Sequence, residues 1–175
     1  ITRIEDKNGT VLFENTPETH DVVSAEVSRA VINLMEGVTR YGSGARLRTK
    51  GAETYNVIYK NVMTGYPYSF TNAIAGKTGT TQNNSDGWFI AMVPNLVTGV
   101  WVGGEDRAVH FRTTAYGQGA TMALPIWGYY MKKCYADRDL SVSKEAFPPP
   151  QNKQIQIDCS KEKESEGEES PQIDF

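Results

Sequence analysis

The stretch Ala75-Gly76-Lys77-Thr78-Gly79-Thr80-Thr81 sets one lysine among three hydroxyls and two glycines. A short apolar run, Ala73-Ile74-Ala75, leads into it, and a polar turn, Gln82-Asn83-Asn84-Ser85-Asp86-Gly87, follows. Beyond the turn comes Trp88-Phe89-Ile90-Ala91-Met92-Val93, rich in residues that favour strands. The segment reads as a strand, a turn and a second strand. A lysine flanked by threonine and glycine on extended backbone makes an anion-binding edge. The ammonium and hydroxyls are expected to face one side, and the glycine lets a ligand backbone come close. Three readings compete: a phosphate-binding loop, a strand that receives a carboxylate, and an ordinary surface strand.

Spacing decides against the phosphate loop. That loop needs G-x-x-x-x-G-K-[ST] between a strand and a helix. Here Gly76-Lys77-Thr78 supplies the second half, but Thr71 stands where the opening glycine belongs. Turn-forming Asn, Ser, Asp and Gly follow the lysine instead of a helix.

Working outward, the chain has 175 residues, 39% of them hydrophobic and 22% charged, as in a soluble globular domain. No apolar run reaches the ~18 residues that would span a bilayer, and no signal peptide is visible. The chain starts at Ile1 without an initiator Met, so a longer parent is expected. Residues 160–175 hold two lysines against six carboxylates, leaving 16 basic and 15 acidic residues elsewhere. No basic stripe with interleaved aromatics appears, so a nucleic-acid partner is not expected. Cys134 and Cys159 lack metal spacing and are expected to be free thiols. His20 and His110 have no ligand-spaced partners, so neither a metal nor a cofactor is expected.

Residues 1–15 read as a hairpin turning at Asp6-Lys7-Asn8-Gly9 and packing beside a larger sheet. Residues 24–41 read as an amphipathic helix with Ser24 as N-cap. Its stripe of Val27, Ala30, Val31, Leu34, Met35 and Val38 is expected to pack on the core, and Gly42-Ser43-Gly44 ends it. Residues 45–70 are ambiguous. They carry a basic cluster (Arg46, Arg48, Lys50), a run from Tyr55 to Val62 that suits strand or helix, and the turn-rich Thr64-Gly65-Tyr66-Pro67-Tyr68. Val97–Val102 pairs with Trp88–Val93 as a second hairpin, which with the Lys77 strand gives three consecutive antiparallel strands. Glu105 and Asp106 read as a solvated turn. Thr121–Tyr135 reads as a helix with Leu124, Ile126, Trp127, Tyr130, Met131 and Cys134 on its packing side and Pro125 in its first turns. Residues 148–175 read as a Pro-rich linker and an acidic disordered tail. The fold class is α+β: an antiparallel sheet packed by helices.

Lys-Thr-Gly is the third signature element of the penicillin-interacting serine enzymes, beside S-x-x-K and S-D-N. With Asp86-x-Trp88-Phe89 and Leu96-Val97-Thr98-Gly99-Val100-Trp101-Val102-Gly103 around it, the chain resembles the C-terminal part of the transpeptidase domain of class A penicillin-binding proteins. The resemblance runs over most of residues 1–135. It implies a partial fold of the transpeptidase and serine β-lactamase type over residues 1–147. It also implies a parent on the extracytoplasmic (periplasmic) face of the cytoplasmic membrane that cross-links peptidoglycan stem peptides ending in D-Ala-D-Ala and is acylated by β-lactams. Lys77 and the hydroxyls of Thr78 and Thr80 would receive the terminal carboxylate, and the Thr80 backbone N–H would be an oxyanion donor. Gly79 would keep the strand flat beside the peptide, and Thr81 would complete the binding strand. Ser141-Val142-Ser143-Lys144 and Ser160-Lys161-Glu162-Lys163 match S-x-x-K but follow the lysine strand, and no Ser-x-Asn occurs. The nucleophile is therefore expected upstream, in the remainder of the domain, leaving this chain inactive alone. The alternatives are a non-catalytic peptide-binding or assembly module, a nucleotide-binding protein and a class A β-lactamase.

Overall fold

Strand β4 (Asp86–Val93) alternates along its length: Gly87, Phe89, Ala91 and Val93 are buried while Trp88 and Ile90 are exposed. A period of two is what a sheet covered on one face requires. In the computed structural model, which describes residues 1–16, 18, 20–48 and 68–149, β4 is the middle of a three-stranded antiparallel sheet. Its neighbours are β3 (Ala75–Thr80) and β5 (Leu96–Gly103). β4 begins two residues earlier than its β-rich run suggests, because Asp86 and Gly87 already pair with Gly103 and Val102. The connection from β3 shrinks to a 3₁₀ turn at Gln82–Asn84, with Asn83 and Asn84 in the left-handed region that asparagine tolerates.

Helix α3 (Gly119–Ala136) covers the buried face, following the single turn α2 (Thr114–Gly117). The Phe89 ring meets Trp127 edge-on, with centroids 5.4 Å apart, and Trp127 Nε1 donates to Thr98 Oγ1 at 3.2 Å. Ile74, Leu47, Leu124 and Met131 close the core around that pair, all fully buried. Each such side chain contributes about 1.5–3 kcal/mol on burial. The expected packing side of α3 needs correction: Ile126 and Tyr130 are exposed, and the true stripe runs through Ala120, Ala123, Leu124, Trp127, Gly128, Met131 and Cys134. Small residues set this phase because they allow close approach; a Cβ on Gly128 would stand 2.8 Å from the Tyr68 ring. Pro125 is the seventh residue of the helix, at the end of its second turn, and withdraws the N–H that would reach the Thr121 carbonyl.

Helix α1 (Ala25–Arg40) forms as its cap and stripe suggest, with Val27 N donating to Ser24 Oγ at 3.2 Å. Its burial is the larger correction. Val27, Val31 and Leu34 are exposed, and only Ala30 and Thr39 are buried. The helix meets the sheet through its C-terminal end, where Thr39 Oγ1 donates to the Ile74 carbonyl at 2.6 Å. Ala30 is buried and Met35 and Val38 half-buried, so the described residues cover the apolar stripe only in part and leave Val27, Val31 and Leu34 exposed.

The first hairpin, β1 (Arg3–Glu5) and β2 (Val11–Glu14), turns through Gly9 at φ +83°. It forms a sheet of its own, with both strands exposed, and does not extend the larger one. Arg46 and Arg48 are structural: Arg46 Nη1 donates to the Ala120 carbonyl and Thr121 Oγ1, both at 2.9 Å. Arg48 Nη2 donates to Thr39 Oγ1 at 2.8 Å. Cys134 is a buried free thiol. Lys50, the Tyr55–Val62 run, Thr64–Pro67, Cys159, Ser160–Lys163 and the acidic tail lie outside the described residues.

Candidate functional site

Among the described residues β3 has a strand on one side only; no strand pairs its other edge, while α1 packs against it near Ile74 and leaves Lys77 and Thr80 exposed. Along it the side chains alternate. Lys77 and Gly79 lie opposite Ile90 and Trp88, on the face away from α3; Thr78 and Thr80 lie opposite Phe89 and Gly87, toward it. The expectation that ammonium and hydroxyls face one side is therefore corrected. Strand geometry sends neighbours to opposite faces, and they converge only around the open edge.

Lys77 is exposed and has no carboxylate partner among the described residues; its Nζ donates to the Thr78 carbonyl at 2.8 Å. Thr78 Oγ1 lies 2.6 Å from Ser43 Oγ. Ser43 was not singled out by the sequence, where Gly-Ser-Gly reads as a helix stop. It reaches β3 because the turn after α1 folds back, with Gly44 N on the Val38 carbonyl at 3.0 Å. Thr80 Oγ1 accepts from Gly119 N at 3.0 Å, so this hydroxyl caps the first turn of α3. The seat is tight: a Cβ on Gly119 would stand 2.3 Å from the carbonyl oxygens of both Gly79 and Trp88. Gly79 is flat for a similar reason, a Cβ there meeting Trp88 Cβ at 3.1 Å. Thr81 closes the strand, its N–H on the Asp86 carbonyl at 3.1 Å and its Oγ1 accepting from Asp86 N at 2.9 Å.

The other candidates stand apart from this edge. Glu105 and Asp106 are exposed, and Asp106 Oδ1 accepts from Ala108 N within its own turn. His110 is exposed, and no metal-holding cluster occurs among the described residues. Ser141 and Ser143 latch the exit segment to the β4–β5 turn: Asn95 Nδ2 donates to the Ser141 carbonyl and Asn95 Oδ1 accepts from Ser143 N. The Lys144 ammonium lies over the Tyr135 ring, 4.8 Å from its centroid, not beside a serine hydroxyl. A cleft of about 600 Å³ between Phe70, Asn72, Lys132, Tyr135 and Lys144 includes no β3 residue.

The edge of β3 thus carries an ammonium with no carboxylate partner among the described residues, the Thr78 hydroxyl 2.6 Å from that of Ser43, and a glycine-flattened backbone. The sequence comparisons give that edge a family: the chain belongs to the class A penicillin-binding proteins. Penicillin-binding protein 1A of Aquifex aeolicus is 31% identical over 160 residues, which is 90% of this chain and 18% of that protein. The Pseudomonas aeruginosa protein of the same name is 30% identical over 147 residues, 83% of this chain and 15% of its own length. That of Neisseria gonorrhoeae is 44% identical over 59 residues, 34% of this chain and 7% of its length. The chain thus spans less than a fifth of these curated relatives. No protein-family profile matches it. Among solved structures, penicillin-binding protein 1A of Haemophilus influenzae aligns with a TM-score of 0.48 and 21% identity, over 86% of this chain and 24% of the other. No helix among the described residues is long and apolar enough to cross a membrane.

Proposed function

We propose that this chain forms the carboxylate-receiving wall of a serine-type D,D-transpeptidase. Residues 1–147 would be the C-terminal portion of the transpeptidase domain, and residues 148–175 a linker and tail. The observation that carries this reading is the open β3 edge, with Lys77 free of any acid among the described residues and Thr78 and Thr80 held in place. A stem peptide ending in D-Ala-D-Ala lies along β3 as an added strand, and its carboxylate sits against Lys77 and the Thr78 hydroxyl. A serine from outside this chain attacks the penultimate carbonyl. The developing oxyanion takes a hydrogen bond from the Thr80 backbone N–H, and collapse releases D-Ala and leaves an acyl-serine. The amine of a neighbouring stem peptide then displaces the serine and completes the cross-link. A β-lactam enters the same edge through its carboxylate and stops at the acyl stage. No metal or cofactor takes part, and the chain by itself has no nucleophile to acylate. The reaction would proceed outside the cytoplasmic membrane, with the anchor in a region of the longer protein beyond this chain.

The test is labelling of the longer protein with a fluorescent penicillin, with the adduct mapped by mass spectrometry. A serine outside this chain should carry the label, and Lys77→Ala should slow acylation about 100-fold, the scale of losing one preorganised electrostatic contact. An adduct on Ser141 or Ser160, or unchanged labelling of Lys77→Ala, refutes the assignment. A folded protein that takes no label is a peptide-binding or assembly module.

A further inference from the structure

Asp86 has no part in the reaction proposed above, yet its carboxylate is the most heavily partnered among the described residues. It opens β4 one residue after the turn, and its side chain is only 17% exposed. Oδ1 accepts from Trp101 Nε1 on β5 at 3.1 Å. Oδ2 lies 3.3 Å from Thr81 Oγ1 at the end of β3, 3.4 Å from Ser85 Oγ in the turn and 3.6 Å from Arg107 Nη2 in the loop after β5. Space for the indole contact is kept by Gly103, where a Cβ would stand 2.5 Å from Oδ1 and 2.6 Å from the Trp101 ring.

Two routes lead from this carboxylate to Thr80. One runs through Thr81, whose hydroxyl faces Oδ2 at 3.3 Å; the Asp86 backbone holds Thr81 as well, through its carbonyl and its N–H. The other runs through the indoles: Trp101 packs on Trp88 with centroids 6.4 Å apart, and Trp88 Cβ underlies Gly79. Gly79 and Thr81 are the two residues flanking Thr80. Both neighbours of Thr80 are thus in contact with a side chain that the Asp86 carboxylate reaches directly or through Trp101.

We infer that Asp86 is a positioning residue, whose carboxylate clamps the end of β3 and thereby aims the Thr80 backbone N–H. The assignment rests on the transpeptidase reading above. Asp86 touches no reacting atom; it keeps an oxyanion donor from drifting, and displacement of such a group by about 1 Å costs roughly 100-fold in rate. Removing the carboxylate should therefore slow the chemical step while leaving ligand capture, which Lys77 governs, intact.

The experiment has two arms. In the first, amide hydrogen exchange is read on this chain: Asp86→Ala should speed exchange at Thr81, whose N–H bonds the Asp86 carbonyl, about 10-fold relative to Phe89 in the middle of the sheet. In the second, β-lactam acylation of the longer protein is resolved into its capture constant and its acylation rate. Asp86→Ala should lower the rate 10- to 100-fold with capture within about 2-fold, and Asp86→Asn, which keeps an oxygen for Trp101, should fall between. A purely structural role would instead lower the fraction of protein that takes the label and leave both constants of the remainder unchanged. Should Asp86→Ala fail to fold, Trp101→Phe removes one donor and keeps the carboxylate, and a rate loss of about 3-fold is expected. Unchanged exchange, or faster exchange with an unchanged acylation rate, overturns the assignment. Wild-type protein that takes no β-lactam overturns the transpeptidase reading itself, a result distinct from any variant's.

Discussion

Gly119→Ala and Gly37→Ala should change stability in opposite directions, although both put a methyl group into a helix. A Cβ on Gly119 falls 2.3 Å from two backbone oxygens, those of Gly79 and Trp88, and 3.1 Å from Trp88 N. A carbon and an oxygen in contact sit about 3.3 Å apart, so the N-terminus of α3 must lift by roughly 1 Å. Lifting breaks the Gly119 N to Thr80 Oγ1 bond, worth about 1 kcal/mol, and overpacking of this kind costs about 1–3 kcal/mol more. Better helix propensity returns at most about 1 kcal/mol. The net loss is about 1–4 kcal/mol, or roughly 2–16 °C in Tm for a chain of this size. Gly37, in the body of α1, has nothing within 4 Å of its ideal Cβ, so alanine there should add about 0.5–1 kcal/mol. Urea unfolding of the two variants beside the parent chain measures both signs. A Gly119→Ala protein within 0.5 kcal/mol of the parent would show that α3 is not seated on the β3–β4 ladder.

Three further outcomes follow from other parts of the molecule. Val31→Glu with Leu34→Lys on the exposed stripe of α1 should leave the unfolding midpoint nearly unchanged and reduce binding of a hydrophobic dye by this chain; loss of folding would mean the stripe is buried. Trp127→Ala should cost about 4–5 kcal/mol, since it empties a fully buried site and leaves Thr98 Oγ1 without its donor, and a loss below 2 kcal/mol would contradict the packing. Burial raises the pKa of Tyr68 and of Tyr135 above the usual tyrosine value, although the Asn72 Nδ2 bond to the Tyr135 oxygen opposes the shift. The unfolded chain then loses these protons first, so stability is intact below about pH 10 and falls as pH rises past it. Denaturation midpoints between pH 8 and 12 should show that fall, reduced in Tyr135→Phe; a flat profile would refute it.

How far the sequence reveals this structure depends on what each pattern encodes. β4 and β5 are legible because alternation along a strand states directly which side is covered. The stripe of α1 is equally regular, but periodicity says only that a face is apolar, not what meets it, and here the described residues leave Val27, Val31 and Leu34 exposed. In α3 large apolar residues surround the axis, so Ile126 and Tyr130 were placed inward; the phase is set by Ala120, Ala123 and Gly128, whose signal is small size. Lys77 was legible through Lys-Thr-Gly. Ser43 was not, because its hydroxyl meets Thr78 across 35 positions of chain and nothing local announces the contact. Gly119 likewise becomes a functional candidate only through contacts with distant backbone, and Asp86 only through the side chains of Thr81 and Trp101.

The two outer strands of the sheet also explain why β3 is the edge to assign to a ligand. Each is unpaired on one side among the described residues, and an open edge invites pairing with any extended chain. β5, Leu-Val-Thr-Gly-Val-Trp-Val-Gly, has no charged residue over its eight positions, so nothing in it deters another strand. β3 carries Lys77 near its middle, exposed and facing away from the packed helix. A lysine at that place discourages apolar strands and favours a chain that brings a negative charge within reach of the ammonium. Gly76 and Gly79 keep the same strand bare: a Cβ on the first would stand 2.7 Å from Ala91 Cβ. Under the function proposed above, β3 and not β5 would be the edge that an anionic peptide end occupies. The prediction that separates them is charge reversal. Lys77→Glu should abolish capture of carboxylate-bearing β-lactams by the longer protein without unfolding it, whereas Val97→Glu, on the exposed face of β5, should leave capture intact; equal effects of the two would remove the distinction.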